Sequence, residues 1–144
     1  MDLAINGIMN NNNIEIAGIR HFGAGLRIKN APELHDEISK ILKPTHVHKK
    51  GEKKFKEKVW DNDIWILDSP LSDEKDLIEH ILWIWEQIKP HIEYFMDLKK
   101  KGVEMDLFCS FTTDSDQDGF TLDARTNEFI NKLQLNIEFS IIFL

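Results

Sequence analysis

Residues 104–123 read Glu104-Met-Asp-Leu-Phe-Cys-Ser-Phe-Thr-Thr-Asp-Ser-Asp-Gln-Asp-Gly-Phe-Thr-Leu-Asp123. Met105, Leu107, Cys109 and Phe111 stand two apart, so an extended backbone turns all four to one side while Glu104, Asp106 and Ser110 face the other. That alternation predicts a half-buried strand. Six polar residues, Thr113 to Asp118, and Gly119 follow, after which Phe120 and Leu122 alternate with Thr121 and Asp123. The whole stretch predicts a β-hairpin.

Upstream, Ile14 and Ile16 alternate with polar or small neighbours, as do Leu26 and Ile28, and Gly18, Gly23 and Gly25 lie between them. This predicts a first pair of strands interrupted at the glycines. Pro32 suits the first turn of a helix whose face is Leu34, Ile38, Ile41 and Leu42, ending at Lys43-Pro44. Asp63 to Ser69 is apolar on both sides, as an interior strand would be. Ser72 or Asp73 is placed to cap a helix with Leu77, Ile81, Trp85, Ile88, Ile92 and Phe95 along one stripe. Pro90 predicts a break in it, and Gly102 its end. A short helix after Thr126 and a last strand with Leu135, Ile137, Phe139, Ile141 and Phe143 on one side complete the chain. The expected class is α+β: an antiparallel or mixed sheet of about six strands, helices mainly on one face, and a strand-strand-helix-strand unit used twice.

The 144 residues suit one domain, expected over 14–144 after an Asn-rich lead-in over 1–13. Net charge is −7 and the pI about 5.3, which disfavours nucleic acid and anionic lipid as partners. The charge is segregated. Residues 49–58 hold six lysines against two glutamates, a net +4, leaving −11 elsewhere. Cys109 is the only cysteine and is expected as a small buried hydrophobe. The start lacks a secretory signal and no apolar run is long enough to span a bilayer, so a cytoplasmic location with no membrane association is expected.

Pro44-Thr45, Lys50-Gly51-Glu52, Trp65 with Leu67 and Ser69, His80 with Leu82 and Pro90, Asp106-Leu107-Phe108-Cys109, Gly119-Phe120-Thr121-Leu122 and the closing apolar strand form a series of landmarks. In this order they resemble a bacterial family, the domain of unknown function 4279. The resemblance runs over roughly residues 24 to 144. It implies no catalytic residues, because the family's activity is unassigned.

Two groups of residues are candidate sites. His46, His48, Lys49, Lys50, Lys53, Lys54 and Trp60 form a basic, aromatic stretch able to bind a partner or an anionic ligand. A solvated loop is the plainer reading, and the surrounding negative charge opposes a polyanion. Asp114, Asp116 and Asp118 with Gly119 match the start of a calcium loop. The twelfth position is Arg125 in place of a bidentate glutamate, so at best millimolar affinity is expected. Trp83 and Trp85 sit too close on one helix to share a core direction, so one is a candidate surface anchor.

No nucleophile motif, phosphate loop or dinucleotide fingerprint is present, and no cofactor is expected. The expectation is a noncatalytic protein-binding domain, of which an immunity-type inhibitor of a basic partner is one form. The alternative is a small-ligand or phosphate-binding module using the basic loop 46–58.

Overall fold

The computed structural model describes residues 18–144. The strand predicted from the Met105 to Phe111 alternation is β4 (Glu104–Thr113), and it pairs antiparallel along its whole length with β1 (Arg20–Lys29). On the far side of β1 lies β3 (Ile64–Asp68), and beyond it the short β2 (His46–His48), both antiparallel. On the far side of β4 lies β5 (Asn136–Phe143), which runs parallel to it. Among the described residues the sheet is thus mixed and five-stranded, in the order β2-β3-β1-β4-β5.

The helices cover one face. They are α1 (His35–Ile41), α2 (Leu77–Ile88), α3 (Ile92–Lys100) and α4 (Asn127–Leu133). Alternate strand residues, Leu26, Ile28, Trp65, Leu107 and Cys109 among them, meet Ile81, Ile84, Phe95 and Phe129 from the helices in one core. Pro90 interrupts the helical stripe as expected: a 3-10 turn over Lys89–His91 separates α2 from α3. The cap of α2 is Asp76 and not Ser72 or Asp73; its N–H donates to Glu79 Oε2 at 3.1 Å. No helix among the described residues is long and apolar enough to cross a membrane.

Four expectations need correction. The predicted hairpin does not form: Phe120 and Leu122 are not in a strand, because both edges of β4 are already occupied by β1 and β5. Phe120 instead packs edge-on against Phe22 and Phe111 and stacks on Phe139. Residues 114–135 form the long connection that a parallel neighbour requires. Second, Gly23 and Gly25 do not break the chain but lie inside one continuous strand; Ile14 to Ala17, like the lead-in 1–13, fall outside the described residues. Third, the element order of the described residues contains no repeated strand-strand-helix-strand unit. Fourth, the apolar side of β5 is only partly covered: Phe139, Ile141 and Phe143 are 43%, 46% and 67% exposed. The strand lies at the sheet edge, where little of the helical layer shelters it.

Cys109 is buried as expected, and that burial, with Asp106 nearby, pushes its thiol up to about 12. Of the two helical tryptophans, Trp85 is buried and stacked on Phe129 at 5.0 Å, while Trp83 is partly buried against the rim of the core.

Candidate functional site

The strand pattern that buries Phe22, Leu26 and Ile28 turns Gly23, Gly25 and Arg27 to the face that no helix among the described residues covers. In the sheet register Gly25 lies between Asp68 and Phe108, Gly23 opposite Ser110, and Arg27 between Ile66 and Asp106. Two neighbouring positions on the central strand therefore lack side chains, leaving a depression walled by Ile66 and Asp68 on one side and Phe108 and Ser110 on the other.

The basic stretch helps to enclose it. Residues 49–60 are not a featureless loop but a small hairpin: Gly51 donates to the Trp60 carbonyl, Trp60 to that of Glu52, and Lys54 to that of Lys58, at 2.8–2.9 Å. This places Trp60 against His48, ring centroids 4.3 Å apart and 13° from parallel, with the Lys54 ammonium 4.3 Å from the Trp60 centroid. The result is a cavity of about 610 Å³ on the open face, within the range of small-molecule sites.

Three groups in its lining decide its chemistry. Asp68 leans over Gly25, where a β-carbon would collide with its Oδ1. Burial pushes its carboxyl pKa up, opposed by His46, whose Nε2 is 3.9 Å from Oδ2. Arg27 forms a two-pronged pair with Asp106, both contacts 2.7 Å, donates also to Glu138, and lies over the Phe108 ring at 4.4 Å. The hydrogen bonds that Arg27 donates to Asp106 raise its pKa further, so its charge is permanent but already matched.

His80, 1% exposed, closes one end: its Nδ1 is 2.8 Å from Ser69 Oγ, which also accepts from Leu71 N–H. A hydroxyl and an imidazole in contact can act as nucleophile and base, but the imidazole then needs a third group to orient it. His80 Nε2 has no hydrogen-bond partner among the described residues. We therefore read the pair as a latch holding the turn after β3.

Burial lowers the His80 pKa against the upward pull of the Lys75 and Ser72 carbonyls, Glu79 and Asp73. Burial and Lys49 lower that of His35 against Asp63, Asp36 and Glu33. Both histidines fold neutral and regain an ordinary pKa near 6.5 on unfolding, so the unfolded chain binds more protons below that value. Stability should hold above about pH 6.5 and fall below it, by up to about 1.4 kcal/mol per pH unit for each histidine. Urea denaturation at pH 7.5, 6.5 and 5.5 checks this; a flat profile would show that the imidazoles are not held neutral.

Of the residues singled out in the sequence, Lys54 and Trp60 line the cavity. His46 and His48 lie beside it on edge strand β2, rings 5.8 Å apart, whereas Lys49, Lys50 and Lys53 are exposed and do not line it. Asp114, Asp116 and Asp118 do not converge: Asp118 accepts from Arg20, Thr113 and Gly119, and no group of three or more metal-ligating side chains occurs among the described residues. Sequence reasoning missed Gly23, Gly25, Asp68 and Phe108. The signal was two glycines spaced two apart, which within one strand empty adjacent positions on the same face.

A family model described as Domain of unknown function (DUF4279) matches residues 20–144. No curated protein and no solved structure matches the chain.

Proposed function

We propose that this chain, which belongs to the DUF4279 family, is a noncatalytic small-ligand-binding module whose site is the open-face cavity under the basic hairpin. One observation carries the reading: β1 leaves Gly23 and Gly25 bare in the middle of the sheet, and a segment distant in sequence brings Trp60 and Lys54 to the resulting cavity of about 610 Å³. The site narrows the earlier phosphate alternative, since Lys54 is the one hairpin lysine lining it.

A protein-binding role, including immunity-type inhibition of a basic partner, is the second reading. It is supported by the outer edge of β5, where Ile141, Ile142 and Phe143 are exposed and no strand among the described residues pairs, an arrangement suited to strand addition.

Gly23→Leu separates the two. A side chain at position 23 enters the cavity and meets only the movable Ser110 hydroxyl at first contact. In a thermal-shift screen of a metabolite library, at least one compound should raise the wild-type Tm by several degrees, as a ligand near a hundredfold above its Kd would, and leave Gly23→Leu unmoved. Equal shifts in both proteins would sink the cavity reading. A purified protein partner that binds Gly23→Leu normally but not Ile141→Lys would move the function to the edge.

A further inference from the structure

The charges around the cavity are unevenly matched, and this narrows the class of ligand. Arg27, Lys54, Asp68 and Asp73 are the acidic and strongly basic groups in its lining. Arg27 is committed to Asp106 and Glu138. Asp73 is exposed, with His21 Nδ1 at 3.7 Å. Lys54 lies at the exposed rim over Trp60.

Asp68 differs from these. Its carboxylate leans over the bare position at Gly25, accepts no hydrogen bond among the described residues, and has no Lys or Arg partner there, only the His46 imidazole at 3.9 Å. A ligand filling the cavity would strip water from it. An unpaired carboxylate loses much by such desolvation unless the ligand returns a positive charge. The remaining walls favour the same partner: Ile66 and Phe108 are apolar, and Trp60 presents an aromatic ring that already attracts an ammonium. The net charge of −7 adds long-range attraction for a cation.

Resting on the ligand-site reading, we infer that the cavity takes a small molecule bearing an ammonium group, which pairs with Asp68 while its hydrocarbon part packs on Ile66, Phe108 and Trp60. The Lys54 ammonium holds the Trp60 ring in the ligand's absence and is displaced by it.

The test is an NMR titration of the full chain with phenethylamine and cadaverine, with 2-phenylethanol as the uncharged counterpart and with inorganic phosphate, all at one ionic strength. The amines should shift the Gly23 and Gly25 amides and the Trp60 indole. Phenethylamine should bind about tenfold or more tighter than the alcohol, the scale of a hydrogen bond to a charged group. Asp68→Asn should abolish that preference. Lys54→Ala, an exposed change, should tighten amine binding about two- to fivefold by removing the internal competitor. Alcohol binding in the cavity as tightly as the amine, tighter phosphate binding, or amine affinity unchanged or weakened in Lys54→Ala overturns the ammonium inference and leaves the ligand-site reading standing. Failure of every probe to move a cavity resonance removes both.

Discussion

Trp65→Ala should destabilise the protein by about 3–5 kcal/mol, the range for truncating a large buried aromatic. Trp65 is fully buried on β3, opposite Ile28 of β1, and its indole N–H donates to Ser39 Oγ at 3.1 Å, tying β3 to α1. Truncation removes the packing, opens a cavity beneath the central strands and frees the Ser39 hydroxyl. The loss would be a large share of the roughly 5–15 kcal/mol by which a domain is stable. Urea unfolding followed by far-ultraviolet circular dichroism gives the difference directly. A loss under about 1 kcal/mol would mean that this site relaxes far more than a close-packed core allows.

The second large effect is expected at Asp106. Its carboxylate, 14% exposed, takes both prongs of Arg27 and the Lys29 ammonium at 3.1 Å. Burial alone would raise its pKa; the hydrogen bonds from Arg27 and Lys29 outweigh burial and hold it below the usual carboxylate range. Asp106→Ala leaves two cations on neighbouring same-face positions of β1, Arg27 with Glu138, 61% exposed, as its remaining ion-pair partner and Lys29 across from Glu104 in the register. The expected loss is about 3 kcal/mol, at the lower end for breaking a buried pair because these groups keep some contact with water. Since the native pKa is depressed, the contribution of Asp106 is present above about pH 4 and vanishes as pH falls through its folded value. Wild type and variant should therefore converge in stability in strong acid. A double-mutant cycle with Arg27→Met measures the coupling; a value near zero would show that the pair only decorates the sheet.

These two sites lie on opposite faces, and the sequence disclosed them unequally. The core face was readable from periodicity: Met105, Leu107, Cys109 and Phe111 all point into the core, and the stripe from Leu77 to Phe95 marks helices that break at Pro90. The open face was harder to read. Gly23 and Gly25 carry no periodic signal of their own, and taken as chain breaks they hid the middle of the longest strand pair. Lys54 and Trp60 were noticed as part of a basic stretch, but composition says nothing about the fold-back that brings those two residues to a cavity and leaves Lys49, Lys50 and Lys53 outside it.

Phe120, Leu122 and the closing strand show where local patterning ends. An alternation of two apolar residues after a polar turn fits a hairpin, yet Phe120 caps aromatic neighbours outside the sheet while β5 takes the place beside β4. The apolar side of β5 was likewise legible, though not that much of it stays half-exposed. Which side of a strand is apolar follows from neighbours one and two residues away, because consecutive side chains alternate regardless of the rest of the chain. Which strand lies next to which, and whether an apolar side finds cover, depends on segments far apart in the chain competing for the same edge and the same helix layer, and that competition is resolved only when the whole chain has packed.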